Sequence, residues 1–226
     1  MEILTNPQYL GEIALGLKMT VILAVASWLI AIGSGILLAI IRVSAPRSID
    51  AAAAAWIEYQ RNVPVIVHIF AWYFGVSTIF PLPAQDWFNA NNGDVIFAAV
   101  AIGLYYGAYI CEDIRSGYRS ISRGQYEAAR SIGLNFRQSL HHVMMPQAVR
   151  ASLPALISRA ILLLKSTSLA MVIGVMELTY QTKEIQNETF LTFQAFSIAT
   201  IIYLVLSMAV ILLGKVTEHY MEVGTA

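Results

Sequence analysis

The stretch Glu127-Ala128-Ala129-Arg130-Ser131-Ile132-Gly133, followed after nine intervening residues by Val143-Met144-Met145-Pro146, lies in a polar, arginine-studded segment, residues 115–150, set between long apolar runs. Those surroundings give it its meaning. The chain has 226 residues, 58 % hydrophobic and 12 % charged, whereas soluble domains carry roughly 25 % charged residues. With a mean hydropathy of +0.64, the composition is that of an integral membrane protein. A segment this charged in such a chain belongs in water at the membrane face, where it serves a partner.

The segment itself reads as two short helices. Ser122-Arg123-Gly124-Gln125 fits a capping box, with Ser122 as N-cap and Gln125 reaching back to it. A helix is expected from there through Tyr126, Glu127, Ala128, Ala129 and Arg130 to Gly133, a residue suited to the left-handed conformation that ends a helix. Asn135 with Gln138 makes a second cap, opening a helix that carries Leu140, His141, His142 and Val143 before Pro146. Tyr126, Ala129 and Gly133 fall at i, i+3 and i+7, an apolar stripe the size of a groove on another protein, with Glu127 and Arg130 beside it.

Outward from this loop, a hydrocarbon core about 30 Å thick requires about 20 apolar residues per helix. Five spans are expected, at about 19–41, 51–80, 95–114, 153–178 and 193–214, giving an all-α polytopic fold in a single membrane domain, 1–226. Asp50 is the expected N-cap of the second span, which Glu58, Arg61 and Pro64 interrupt. The first run has Glu2 and Glu12 ahead of it, too long and too acidic at its front for a cleaved signal, and is expected to remain as a span. Lys and Arg collect in the loop after the first span (Arg42, Arg47) and in the loop after the third (Arg115, Arg119, Arg123, Arg130, Arg137, Arg150), which places both in the cytoplasm. The loops 81–94 and 179–192 then face outward, the amino terminus lies outside, and the carboxyl terminus, from Lys215, lies inside.

The 14 Lys and Arg balance 14 Asp and Glu, so there is no basic field for nucleic acid, and no aromatic interleaving to stack bases. A lone cysteine, Cys111, excludes an internal disulfide or a CxxC site and reads as a small buried hydrophobe. No hydrolase or metalloprotease motif occurs, and Lys165-Ser166-Thr167 lacks the upstream glycines of a phosphate-binding loop. Hydrolase and metalloprotease readings therefore have no residues to rest on, and the chain is read as non-catalytic and needing no cofactor.

Ionisable residues within spans line pathways or find partners. Lys165, about 18 Å along its helix counting from Leu153, is followed by Ser166, Thr167 and Ser168, a cluster suited to a substrate carboxylate. A structural ion pair with Glu112 or Glu177, and hydroxyls bonded to their own helix, account for it equally well. Arg61 and Glu58, three residues apart, are expected to pair with each other. Arg61 and Glu112 join the cluster as pathway candidates. Tyr105, Tyr106 and Tyr109 are expected to pack between helices, and His68 to be a core residue.

The spacing Glu-Ala-Ala, three residues, Gly, nine residues, hydrophobic, any residue, hydrophobic, Pro resembles the EAA motif of bacterial ABC importer permeases, with Val143 and Met145 standing where the family has Ile and Leu. Glu58-Tyr59-Gln60-Arg61-Asn62-Val63-Pro64, Tyr109-Ile110-Cys111-Glu112-Asp113-Ile114-Arg115 and Lys165-Ser166-Thr167-Ser168-Leu169 are similar to segments of the polar amino-acid uptake subfamily. The likeness covers roughly residues 15–215. It implies the type I permease fold in the cell inner membrane, with a coupling helix, Glu127 to Gly133, seated in a groove of a cytoplasmic ABC ATPase subunit and Tyr126 and Pro146 among the coupling residues. It further implies a second permease subunit, identical or related, a solute-binding protein outside the membrane and an amino-acid substrate, all within membrane lipid. Met176-Glu177-Leu178-Thr179 with Phe190, Phe193, Ala195 and Phe196 looks similar to glutamate/aspartate-type members. The other reading, a self-sufficient ion-coupled carrier or channel, calls for internal duplication and a complete route in one chain, and five spans argue against it.

Overall fold

The computed structural model describes residues 2–222, with side chains from Ile3 to Glu218. All regular structure among them is helical. A turn at Glu2–Thr5 leads into α1 (Pro7–Ser44), where Pro7 takes the first helical position, at which no N–H is needed, and Asn6 accepts the Gln8 amide at 3.0 Å. Its 38 residues reach about 57 Å at 1.5 Å per residue, so α1 extends well beyond the apolar run 19–41. α2 (Arg47–Asn62) starts behind Pro46. Asp50 is therefore not its N-cap; it sits in the first turn and receives the guanidinium of Arg42, which ties α2 to the end of α1.

The second expected span is broken. Val63 is extended, φ −97° and ψ 133°, as the residue before a proline prefers to be, and α3 (Val65–Phe70) leaves Pro64 in a new direction, continuing through a π turn, Ala71–Gly75, and a 3-10 turn, Val76–Ile79. The two arms are bent by 107°. The connection that follows is itself helical, α4 (Leu82–Ala90), and Asn92 in the left-handed region (φ 54°) admits α5 (Gly93–Ser120). Next come α6 (Arg123–Ser131), α7 (Phe136–Ser139) with a π turn at Leu140–Met144, and α8 (Met145–Ser166), whose 3-10 extension Thr167–Ile173 stops at Gly174 (φ 91°). The fourth span therefore begins before Leu153 and ends before Leu178. Glu177 belongs instead to the next element, α9 (Leu178–Thr189), as its N-cap: its carboxylate accepts the Thr179 and Tyr180 amides, both at 2.9 Å. α10 (Thr192–Glu222) closes the chain. Among the described residues four helices are long and apolar enough to cross a membrane, five when the bent α2–α3 pair counts as one span.

α1 and α5 share the largest helix–helix contact. The buried stripe of α1 is mostly small, with Ser27, Ala31 and Gly35 on one line, and it meets Gly103 and Gly107 of α5. A Cβ at Gly103 would stand 2.6 Å from Ile30 Cβ, and one at Gly35 would stand 2.6 Å from Ile110 Cγ2. Cys111 is fully buried in the same core. On its other side α5 is tied to α8 by a forked ion pair: Arg159 Nε and Nη2 donate to the two Asp113 oxygens at 2.7 and 3.2 Å. The Tyr109 ring lies between two guanidinium groups, with Arg159 4.8 Å and Arg61 5.3 Å from its centroid.

Two stability outcomes follow from these contacts. Gly103→Leu should force α1 and α5 apart and cost about 1–3 kcal/mol, read as a lowered unfolding temperature in detergent; an unchanged midpoint would show that the helices do not depend on this approach. Asp113→Leu, which strands the Arg159 guanidinium, should cost about 3 kcal/mol, and the double variant Asp113→Leu/Arg159→Leu less than that single change. Additive losses in the thermodynamic cycle would remove the pair from the account.

Candidate functional site

The EAA segment is built as a cornered pair of helices. Ser122 is extended at the start of α6, but its hydroxyl makes no capping bond, and Gln125 instead accepts the Gln147 side-chain amide at 3.3 Å. The first of the two expected capping boxes is therefore absent. The second is complete: Asn135 accepts the Gln138 amide and the Gln138 side chain accepts the Asn135 amide, each at 2.9 Å. Between them Gly133 is left-handed, φ 88°, and its amide donates to Arg130 O at 3.1 Å while the Leu134 amide donates to Ala129 O at 3.2 Å, the pattern of a Schellman turn. Arg130 Nη1 adds a bond to Leu134 O at 2.7 Å.

The apolar stripe faces inward. Ala129 is buried and Tyr126 packs half-buried on the protein's own core, because this face must cover the ends of the spans. What α6 offers to solvent is Glu127, Ala128 and Arg130, with Ile132 just after them 76 % exposed; Gly133 and Pro146 are exposed as well. The apolar contact available to a partner is thus Ile132 with the partly exposed Phe136, not Tyr126 and Ala129.

Within the bundle the candidate polar residues sort into paired and free. Glu112 is paired with Arg115 at 2.6 Å on its own helix, and Arg61 lies 3.8 Å from Glu58, as the three-residue spacings allow. Ser166 shares a hydrogen bond with Tyr106 at 2.7 Å, whereas Thr167 and Ser168 donate to carbonyls of their own helix, Leu164 and Lys165. Tyr109 donates to Arg61 O at 3.2 Å and Tyr105 to or from Tyr109 at 3.3 Å, so the tyrosines do join helices. His68 is buried against Gln60 O at 3.3 Å. Lys165 is different. Its ammonium has no ion pair or side-chain hydrogen bond among the described residues, and both partners considered for it, Glu112 and Glu177, are engaged elsewhere.

Lys165 occupies the last turn of α8, where the helix dipole favours a cation, and it opens on a groove of about 440 Å³ that also receives Ser168, Thr179, Phe196, Tyr203 and Ser207. That volume lies in the range of small-molecule sites. Tyr203 donates to the buried Glu177 carboxylate at 2.8 Å and lies 3.0 Å from the Thr179 hydroxyl, while Ser207 Oγ is buried without a hydrogen-bond partner. The groove combines a cation unpaired among the described residues with hydroxyl-bearing and aromatic side chains along its wall, which suits a small solute bearing a carboxylate.

Sequence reasoning found Lys165 and its hydroxyls but not Tyr203, Ser207, Asp113 or Arg159. A signal existed for the first two: Phe196, Thr200, Tyr203 and Ser207 repeat at helical spacing and put the polar groups of the last span on one face. Arg159 and Asp113 are charges inside apolar runs, which is itself a sign, but their pairing across two helices has no local spacing to betray it.

Residues 13–222 match the family described as the binding-protein-dependent transport system inner membrane component. The chain is 29 % identical over 218 residues to the glutamate/aspartate import permease protein GltJ of Escherichia coli (strain K12), covering 95 % of this chain and 89 % of that one. It is 33 % identical over 210 residues to the octopine transport system permease protein OccM of Rhizobium radiobacter, covering 92 % and 84 %. In the crystal structure of an amino acid ABC transporter with histidines, a chain 29 % identical superposes with a TM-score of 0.80 over 97 % of this chain and 99 % of its own. A chain of the inward-facing MetNI methionine ABC transporter, 16 % identical, shares the fold with a TM-score of 0.69 over 95 % and 98 %. With its likeness running nearly end to end in sequence and in shape, this multi-pass chain belongs to the binding-protein-dependent transport system inner membrane component family, as a permease of the amino-acid ABC transporter kind.

Proposed function

We propose that the chain forms the translocation route of an ATP-driven amino-acid importer, energised by a separate ATPase and completed by a second permease subunit and a solute-binding protein. The observation that carries this reading is the unpartnered Lys165 ammonium in a groove of amino-acid size. An isolated cation at membrane depth costs a few kcal/mol, a cost that an incoming carboxylate removes. An acidic amino acid is the proposed solute, in keeping with the glutamate/aspartate permease among the relatives. In this reading the arginine-rich end is cytoplasmic, the amino terminus lies outside, and residues 1–226 act as one permease domain.

The proposed contact with the ATPase is the outer face of α6, Glu127, Ala128 and Arg130, with the Gly133 corner and Ile132 beyond it. Tyr126 and Ala129 hold that face from beneath, and Pro146 starts the helix that carries motion inward. Coupling then needs no catalytic group in this chain: the face passes displacement from the ATPase to the spans.

Each half of the proposal has its own test in liposomes holding the complete transporter. Lys165→Met should lower ATP-driven uptake of L-glutamate by about ten- to a hundredfold, the loss of one charge-assisted hydrogen bond, with ATPase association intact; full uptake would assign Lys165 to structure. Glu127→Lys and Gly133→Asp should abolish uptake while the protein remains inserted, the second because an aspartate at a left-handed position strains the corner by about 1–2 kcal/mol. Normal uptake with normal ATPase capture in both variants would reject the docking face.

A further inference from the structure

At the arginine-rich end of the bundle a second groove, of about 360 Å³, lies between the end of α1 and the α7–α8 corner. Its floor is apolar, made by Ile40, Leu140 and Met145 with Phe136 at the edge, and its rim is polar, made by Arg137, His141 and Ser44. No acidic residue lines it. Of the other arginines near this end, Arg42, Arg115 and Arg130 are committed, to Asp50, Glu112 and the Leu134 carbonyl, and Arg47, Arg119, Arg123 and Arg150 lie outside the groove. Arg137 has no ion pair among the described residues, and the His141 ring touches only that of His142, with centroids 5.0 Å apart, among the aromatic contacts of the described residues.

The height of the groove narrows the choice of ligand. Arg42 closes the apolar run of α1, and Ile40 and Ser44 lie on either side of it, about 6 Å apart along the axis. The groove therefore straddles the boundary between hydrocarbon and water, with its greasy part on the hydrocarbon side and Arg137 and His141 on the water side. A soluble anion would leave the floor uncovered. A zwitterionic lipid would bring an ammonium to a rim that holds no carboxylate.

We propose that this groove binds an anionic phospholipid of the leaflet on the arginine-rich side, with an acyl chain on Ile40, Leu140 and Met145 and the headgroup phosphate between Arg137 and His141. Basic pockets between membrane helices favour such headgroups, an arginine contributing about a fivefold preference, and a His141 ring N–H supplies a second donor. The site neighbours the corner proposed to meet the ATPase, but it does not depend on the identity of the solute.

The experiment uses the transporter purified with its partner subunits, exposed to equimolar phosphatidylglycerol and phosphatidylcholine in detergent and examined by native mass spectrometry. The wild type should retain phosphatidylglycerol in preference, and Arg137→Gln/His141→Gln should reduce the ratio of the two lipids about fivefold or more. Arg150→Gln, which removes an exposed arginine outside the groove, should leave the ratio unchanged. Equal retention of both lipids by the wild type would overturn the site without recourse to any variant, as would an equal loss in Arg150→Gln. A preference seen with the isolated permease but absent from the complete transporter would show that a protein partner covers the groove, and would overturn it too.

Discussion

Helices in hydrocarbon gain nothing from removing apolar surface from water, so the bundle depends on how closely the backbones of α1 and α5 approach. Side chains no larger than serine or alanine at Ser27, Ala31 and Gly35 face Gly103 and Gly107, and at Gly107 an added Cβ would fall 2.1 Å from Ser34 Oγ. That approach fixes the rotation of α5. Once its glycine face is spent on α1, the residues at the other side, Tyr106, Tyr109 and Asp113, are turned toward α8 and the bent pair, which is where they find Ser166, Arg61 and Arg159. The polar interior is thus a consequence of a packing decision made with small residues.

Inside the bundle the charges divide by geometry. Arg159 is neutralised by a two-point fork that satisfies both carboxylate oxygens of Asp113 and is backed by an aromatic ring, an arrangement in which attraction and hydrogen bonding offset desolvation. Glu177 spends its carboxylate on two backbone amides and the Tyr203 hydroxyl. Lys165 has neither kind of satisfaction. Tyr203 joins the two regimes, since it reaches Glu177 from the wall of the groove that Lys165 opens on. A ligand in that groove would touch a residue already engaged in the cap of α9.

Much of this was legible in the sequence, and the failures have local physical causes. Long apolar runs located the spans, Gly133 was read as a left-handed stop, and Asn135 with Gln138 gave a full capping box. Apolar content cannot reveal direction, so the 107° break at Pro64 read only as an interruption within one span. Helix ends were misplaced where polar residues continue a helix without breaking it, as at Gln8 and Glu12, which bond to each other at 3.0 Å on the first turns of α1. The Tyr126–Ala129 stripe is covered in part by the chain's own core, because periodicity shows that a face is apolar, not what covers it. Asp113 with Arg159, and the Tyr203–Ser207 wall, required knowing which helices are adjacent.

The corner at Gly133 is stiff for a definable reason, and its stiffness bears on the proposed cycle. The Schellman pair of bonds closes α6, the Arg130 guanidinium clamps the Leu134 carbonyl, and the Asn135 box opens α7 one residue later, so few backbone groups at the turn are left free to rearrange. Beyond it the helical path from Phe136 to Ile173 is continuous over 38 residues, passing Lys165 on the way. A push on α6 would reach the groove through one rod. The register fault in that rod is the π turn Leu140–Met144, at the foot of α8, where a single wide turn can absorb rotation without breaking the path. Beyond Lys165 the rod ends at Gly174, and α10, which forms the other wall of the groove, packs directly on the rod, where a Cβ at Gly214 would stand 2.7 Å from Ile157. Because α8 packs on α10 and is also held to α5 by the Asp113–Arg159 fork, a displacement of α8 would be felt at the groove and at the α1–α5 core together.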